Sequence, residues 1–221
     1  LTLDGTVYNT GDTQTYTADD YNLTGTDIAL TTSNDVVTFN DGGSDGSIDL
    51  SDAADLTITT SGANIVINVP ILGTAGGGVS TDVTLNAGAG NVTVEDMGTD
   101  VNDVALTGTT ISINGTIETA DLSTSDPGGI TLTGAVTLAG SVTLDTDSGN
   151  GPISVTGAVN ATNAGTETLT VSSGSGAVEF GDTIGGTTAL GAVTINAASA
   201  NNESSGTIKI SNIGGASAGV T

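Results

Sequence analysis

Cysteine, histidine and tryptophan are absent from this 221-residue chain, and Lys209 is its single basic residue. Without cysteine there is neither a disulfide framework nor a thiolate metal site. One cation against 25 acidic residues gives a formal net charge of -24. Nothing here displaces counterions from phosphate, so nucleic acid is excluded as a partner, and an anionic membrane surface with it. The same charge favours divalent cations, solubility and repulsion between molecules, and it suits a saline setting. No apolar run approaches the ~18 residues of a membrane span, so no membrane insertion is expected. Aromatics are scarce: Tyr8, Tyr16, Tyr21, Phe39 and Phe180.

What is present is glycine, at 34 residues, with threonine, valine, asparagine and aspartate in short alternating runs. Ile130 to Leu144 reads ITLTGAVTLAGSVTL. Its apolar residues recur with period 2 and are interrupted by Gly134 and Gly140, the pattern of short half-buried strands. Runs of this length are not stable alone, so each must be buried against others like it.

A module meets that need. From Ile28 onward an apolar-x-apolar pair, a polar turn and a second such pair recur. The copies are Ile28–Leu30 with Val37–Phe39, Leu56–Ile58 with Ile65–Ile67, Val83–Leu85 with Val92–Val94, and Val104–Leu106 with Ile111–Ile113. A degenerate copy at Leu122 pairs with Ile130–Leu132. Then follow Val142–Leu144 with Ile153–Val155, Leu169–Val171 with Val178–Phe180, and Val193–Ile195 with Ile208–Ile210. The first pairs are spaced by 28, 27, 21, 18, 20, 27 and 24 residues, a mean of about 24. Third apolar marks follow at Ile117, Val136, Val159 and Ile184. Three short strands per repeat describe one turn of a β-solenoid.

The spacing therefore predicts an all-β fold, a right-handed parallel β-helix of about eight coils, the hand following that of parallel crossovers. A sandwich is the rival, but the Asp-Gly and Asn-Gly pairs do not fall regularly between strands as hairpins require. At ~4.8 Å per strand the stack would be roughly 40 Å long. Residues 28–221 are assigned to the solenoid. Residues 1–27, which hold all three tyrosines, are expected to form an N-terminal cap or irregular first coil, with a tyrosine-bearing contact surface as the alternative. The start at Leu1 and the uncapped idiom of the C-terminal stretch suggest a processed product or a window of a longer chain.

GAVEFGDTIGGTTALGAVTINA (Gly176 to Ala197) and ITLTGAVTLAGSVTLDTDSGNGPISVTGAVNAT (Ile130 to Thr162) resemble the repeats of filamentous-haemagglutinin-like and autotransporter-adhesin-like bacterial β-strand proteins. The resemblance covers roughly residues 28 to 213. It implies a parallel β-helix, export to the cell surface or beyond, and a structural or adhesive role. It carries no catalytic residue, and the family's N-terminal secretion signature is not found.

Candidate sites are acidic. Asn40 to Asp52 reads NDGGSDGSIDLSD and resembles an EF-hand or dockerin calcium loop, with Asp41, Asp45, Asp49 and Asp52 at positions 1, 5, 9 and 12. Gly43 at position 3 and Asp52 in place of glutamate depart from that pattern, and strands rather than helices flank it. A calcium site and a plain acidic turn both remain open. Glu95, Asp96, Asp100 and Asp103 form a second acidic group, and Asp145 with Asp147 a third. Sequons occur at Asn22, Asn91, Asn114, Asn160 and Asn202. Alternating threonines (Thr131, Thr133, Thr137, Thr143) are read as outward filler, because the coil spacings do not align them as an ice-binding face would need.

No enzymatic activity is expected. β-Helix lyases need a basic residue, and a paired-carboxylate glycosidase wants aromatic platforms for sugar rings. The reading is a structural segment or subunit of an extracellular fibre or cell-surface protein, forming homo-oligomers or filaments through β-edges or joined to neighbouring domains. The alternative is a calcium-dependent adhesin that grips carbohydrate or a host surface through loops 52–55 and 72–82.

Overall fold

A computed structural model describes residues 1–51, 54–73, 81–98, 100–119, 127–146, 149–197 and 207–221. Among these residues there is no helix, and the strands wind as successive three-sided coils. The first coil is β1 (Thr2–Leu3), β2 (Val7–Thr10) and β3 (Gln14–Ala18). The second is β4 (Asp20–Leu23), β5 (Asp27–Thr32) and β6 (Val37–Asp41). The third is β7 (Ser47–Leu50), β8 (Asp55–Thr59) and β9 (Ile65–Asn68). The fourth is β10 (Ile71–Leu72), β11 (Val83–Asn86) and β12 (Val92–Val94). Then come β13 (Met97–Gly98) with β14 (Val104–Ile113), and β15 (Thr116–Glu118) with β16 (Ile130–Leu138). The next coil is β17 (Val142–Asp145), β18 (Ile153–Val155) and β19 (Val159–Ala161). Last are β20 (Leu169–Ser172) with β21 (Val178–Ile184), and β22 (Val193–Asn196) with β23 (Ile208–Ile213).

Every strand pairs in parallel with its counterpart one coil away. The first face stacks nine strands from β1 to β22 in chain order. That gives eight register steps, close to the eight coils expected. The second and third faces merge into one fourteen-stranded sheet, because β14, β16, β21 and β23 run round the corner between them. The ladders slip at that corner, between Thr107 and Thr110 and between Phe180 and Thr183.

The alternation in sequence becomes two sets of columns. Inward on the first face stand Tyr21, Ile48, Ile71, Met97, Ile117, Leu144, Val171 and Ile195. Inward on the second stand Ile28, Leu56, Val83, Val104, Ile130, Ile153 and Val178, each with 1% exposure or less. β-Branched side chains stacked in this way fill a pleated interior with little loss of rotamer freedom, because χ1 is already restricted. Tertiary stacking, not any single strand, supplies the burial.

Two corner devices keep the turns tight. Gly134, at φ +137, lies where an added Cβ would stand 1.9 Å from the Gly108 carbonyl oxygen of the coil beneath. At Gly151 a Cβ would stand 1.6 Å from the Gly128 carbonyl oxygen. Neighbouring coils approach this closely only because the side chain is missing.

Residues 1–27 supply the first coil and β4, and all of these strands pair in register with the next coil. Their aromatics pack inward. Tyr16 stacks on Phe39 with ring centroids 4.8 Å apart, and Tyr21 meets Phe39 edge-on at 5.1 Å. Tyr21 is wholly buried, so it belongs to the interior and not to a contact surface. Its hydroxyl accepts from the Ala18 N–H at 2.9 Å and donates to the Asn40 carbonyl at 2.6 Å.

One reading of the repeat is corrected. Up to Val104 the first pairs lie on the second face, as do their register partners. The next partner is Ile130, whose own second pair is Val136–Leu138 on the third face. Leu122 lies outside the described residues. The pairs at Val142, Leu169 and Val193 stand on the first face, so the assumed frame shifts by one side there. Measured on the second face the steps are 28, 27, 21, 26, 23, 25 and 30, a mean of about 26. The spacings of 18 and 20 together run from Val104 on the second face to Val142 on the first, so two faces were counted as one.

Candidate functional site

The acidic stretch from Asn40 to Asp52 leaves β6, turns the corner from the third face to the first, and runs through β7. Asp41 accepts the Gly43 N–H at 2.8 Å and so closes the turn with its own side chain. Asp45 is exposed and lines an open cleft of about 310 Å³ with Asp19, Asp20 and Ser44. The cleft exists because Gly43 and Gly46 let the turn lie directly on Asp19, where any Cβ would clash. Asp49 stands on the outward side of β7 and accepts from the Ser47 hydroxyl at 2.8 Å. Asp52 lies outside the described residues. The structure thus brings Asp41 and Asp45 to one corner with Asp19, and places Asp49 on the adjoining face. Among the described residues no three acidic, histidine or cysteine side chains converge as metal ligands.

The second acidic group also serves the coils. Glu95 accepts from the Asn114 amide at 2.7 Å, and Asp96 accepts the Thr116 N–H at 2.6 Å, each reaching one coil onward. Asp100 adopts a left-handed backbone at φ 71. Asp145 lies on β17, in register with Glu118, and Asp147 is outside the described residues. Of the sequons, Asn22, Asn91 and Asn114 are exposed. Asn160 instead holds the N–H groups of Thr187 and Thr188 at 2.9 and 3.1 Å. Asn202 is outside the described residues, as are 52–53 and 74–80 of the two loops singled out above.

The outward columns are better aligned than the sequence spacing suggests. Thr116, Thr143, Thr170 and Thr194 stand in register on the first face. On the second face the column reads Ala29, Thr57, Thr84, Ala105, Thr131, Ser154, Glu179 and Lys209. Insertions sit in the corners, so variable spacing hides a constant register. Alanine and the Glu179–Lys209 ion pair interrupt the threonines.

Sequence reasoning missed an aspartate ladder at the corner between the first and second faces. Asp27, Asp55, Asp82 and Asp103 each immediately precede a second-face strand or open it. Asp55 accepts the Asp82 N–H at 2.9 Å, Asp82 accepts the Asp103 N–H at 3.1 Å, and Asp103 accepts the Gly129 N–H. The carboxylates of Asp55, Asp82 and Asp103 therefore each tie their coil to the next. Burial pushes the Asp55 carboxyl above its ordinary range. The negative charges of Asp82 and Asp27 add to this, while the Asp82 N–H opposes it. The signal was an aspartate directly before the first apolar pair in four successive copies.

At the same corner in later coils the fastening is hydroxyl to carbonyl. Thr146 donates to Gly151 at 2.7 Å and Ser173 to Gly176 at 2.9 Å, both buried. Further along, Glu167 accepts from the Asn163 side-chain amide at 2.7 Å and from its backbone N–H at 2.8 Å. The Asn163 amide holds the Glu167 carboxyl below the usual range, against some desolvation. No family model, no curated protein and no solved structure matches this chain.

Proposed function

We propose that this chain is a mechanical element, a segment or subunit of an extracellular fibre or cell-surface protein of the filamentous-haemagglutinin-like kind. The observation that carries the reading is the unbroken stack of parallel ladders, in which inward apolar columns and coil-to-coil hydrogen bonds run the length of the described chain. A solenoid of this build resists bending and proteolysis because no strand can leave without breaking the ladders on both sides. The acidic exterior keeps such rods apart laterally. Contact is then favoured at the ends, where the backbone groups of a terminal coil are completed by another coil of the same geometry.

Negative-stain electron microscopy of the purified chain, in calcium and in EDTA, tests this. Long filaments one subunit wide are expected. Isolated short rods in both conditions would remove self-association and leave a passive spacer. Filaments that depend on calcium would favour the alternative role, a calcium-dependent surface module, with the cleft at Asp19 and Asp45 as the place to look.

A further inference from the structure

The first coil, here the head, and the stretch from β22 onward, here the tail, differ from everything between them. Among the described residues, the half-buried apolar side chains that pack on the core lie only there. They are Tyr8, Tyr16 and Ala18 at the head, and Ile195, Ile210, Ile213 and Ala216 at the tail. The exposed large apolar side chains are confined in the same way, to Leu1, Val7, Ile208 and Val220. Charge separates the two surfaces. Asp4, Asp12, Asp19 and Asp20 lie within or beside the head and are exposed. The described residues of the tail, 193–197 and 207–221, hold Lys209, the chain's single basic residue, and no acidic side chain.

We propose that the tail of one copy docks on the head of a second copy in the register of the solenoid, with Lys209 opposite Val7. The proposal rests on the fibre reading above and names the contact that makes the fibre. One inward column of the second face opens at Tyr8, passes through Leu30 and Phe180, and closes at Ile210. On the third face Gln14 opens the column that Ile213 closes. One more step in the same register sets Ile210 against Tyr8 and Ile213 against Gln14. The head takes this contact without stranding a polar group. The Tyr8 hydroxyl accepts the Gly5 N–H at 2.9 Å, and the Tyr16 hydroxyl donates to Gln14 Oε1 at 2.8 Å. Gln14 Nε2 donates to Thr10 Oγ1 at 3.0 Å, and the residue is already 5% exposed. Groups bonded within their own coil are buried without the cost of a lost partner. Head against head would bring two sets of aspartates together. Tail against head brings the one cation to the acidic end and keeps the strands parallel, a heterologous contact that repeats into a filament.

The test follows filament formation of the 221-residue chain at physiological ionic strength, by sedimentation and negative-stain microscopy across a concentration series. Val7 is 65% exposed and faces outward, so its substitution spares the fold. Val7→Asp should lower the concentration needed for filaments about twofold to fivefold, and Val7→Lys should raise it by as much, the effect of a charge pair directly across neighbouring strands. Both shifts oppose what net charge alone would do, since Val7→Asp makes the chain more acidic. Ile210→Asp should abolish filaments while leaving the monomer folded by circular dichroism. Ile208→Asp, at a side chain already 46% exposed, serves if that variant does not fold. Filaments that persist in the folded tail variants overturn the proposal and leave the fibre reading standing with another contact. Filaments lost in the tail variants but indifferent to both Val7 substitutions mean a contact in which Lys209 does not meet Val7, and also overturn it. A parent chain that stays monomeric throughout overturns the fibre reading and this proposal together.

Discussion

One corner of this solenoid is built in two ways. In the early coils the residue before the second-face strand, or opening it, is Asp27, Asp55, Asp82 or Asp103, and the last three accept N–H groups of the next coil. In the later coils Gly129, Pro152 and Ala177 stand at that place. The inward corner position, held by Ala54, Thr81 and Asn102 early on, becomes Gly128, Gly151 and Gly176. There Thr119, Thr146 and Ser173 fasten the turn with buried hydroxyls. Leu23 and Leu50 lie inward at the end of the corresponding early strands. The difference teaches that the apolar ladders tolerate either fastening. The early one links coil to coil and accumulates negative charge; the later one works within a coil and is neutral.

The strongest way to break the comparison is at the inward corner position. Gly151→Ala forces a Cβ into the Gly128 carbonyl and should lower stability by about 3 kcal/mol or more. Ala54→Gly, at the equivalent early position, should lower it by only about 1 kcal/mol. Chemical denaturation midpoints of the two variants measure the contrast, and equal losses would mean that the two halves do not differ in packing.

Next in size is the fastening itself. Thr146→Val leaves the Gly151 carbonyl buried without its donor and should cost about 1–3 kcal/mol. Asp82→Asn keeps an acceptor for the Asp103 N–H and removes one of the stacked charges, so in metal-free buffer it should change stability by less than about 1 kcal/mol. A large loss at Asp82 would show that charge, and not geometry, holds the early corner.

The smallest effect is in pH. The Asp55 carboxyl is raised, so the folded chain binds more protons there than the unfolded chain just above the ordinary value of about 3.9. Stability from Asp55 is therefore lost as pH rises through its folded pKa, and Asp55→Asn should remove that slope. The Glu167 carboxyl is lowered, so its contribution is present above the ordinary value of about 4.3 and is lost as pH falls through the folded pKa. Glu167→Gln should remove that opposite slope. Urea midpoints across the acid range resolve the two, and slopes of the same sign would contradict both assignments.

Much of this was legible in the chain. Alternation at Ile130–Leu138 and its copies marks short strands, and strands too short to stand alone require a stack. The glycine, the scarcity of aromatics and the acidic surface follow from composition. The tyrosines of the first 27 residues were harder. Tyr21 and Tyr16 fill the interior beside Phe39, a contact between coils that no local pattern announces. The acidic turn at Asp41 was visible as a motif, yet its turn geometry separates Asp49 from Asp45.

Sequence alone determined that the chain is a repeat of half-buried strands and that its surface is acidic. It also fixed which side chains point inward, because period 2 is a property of the strand itself. Tertiary structure decided which face each pair joins and which residues become neighbours. All three faces carry the same alternation, so nothing in a pair such as Val142–Leu144 labels its side. The length of each corner sets that label, and the interstrand ladder then brings Asp27, Asp55, Asp82 and Asp103, 21 to 28 residues apart, into one line.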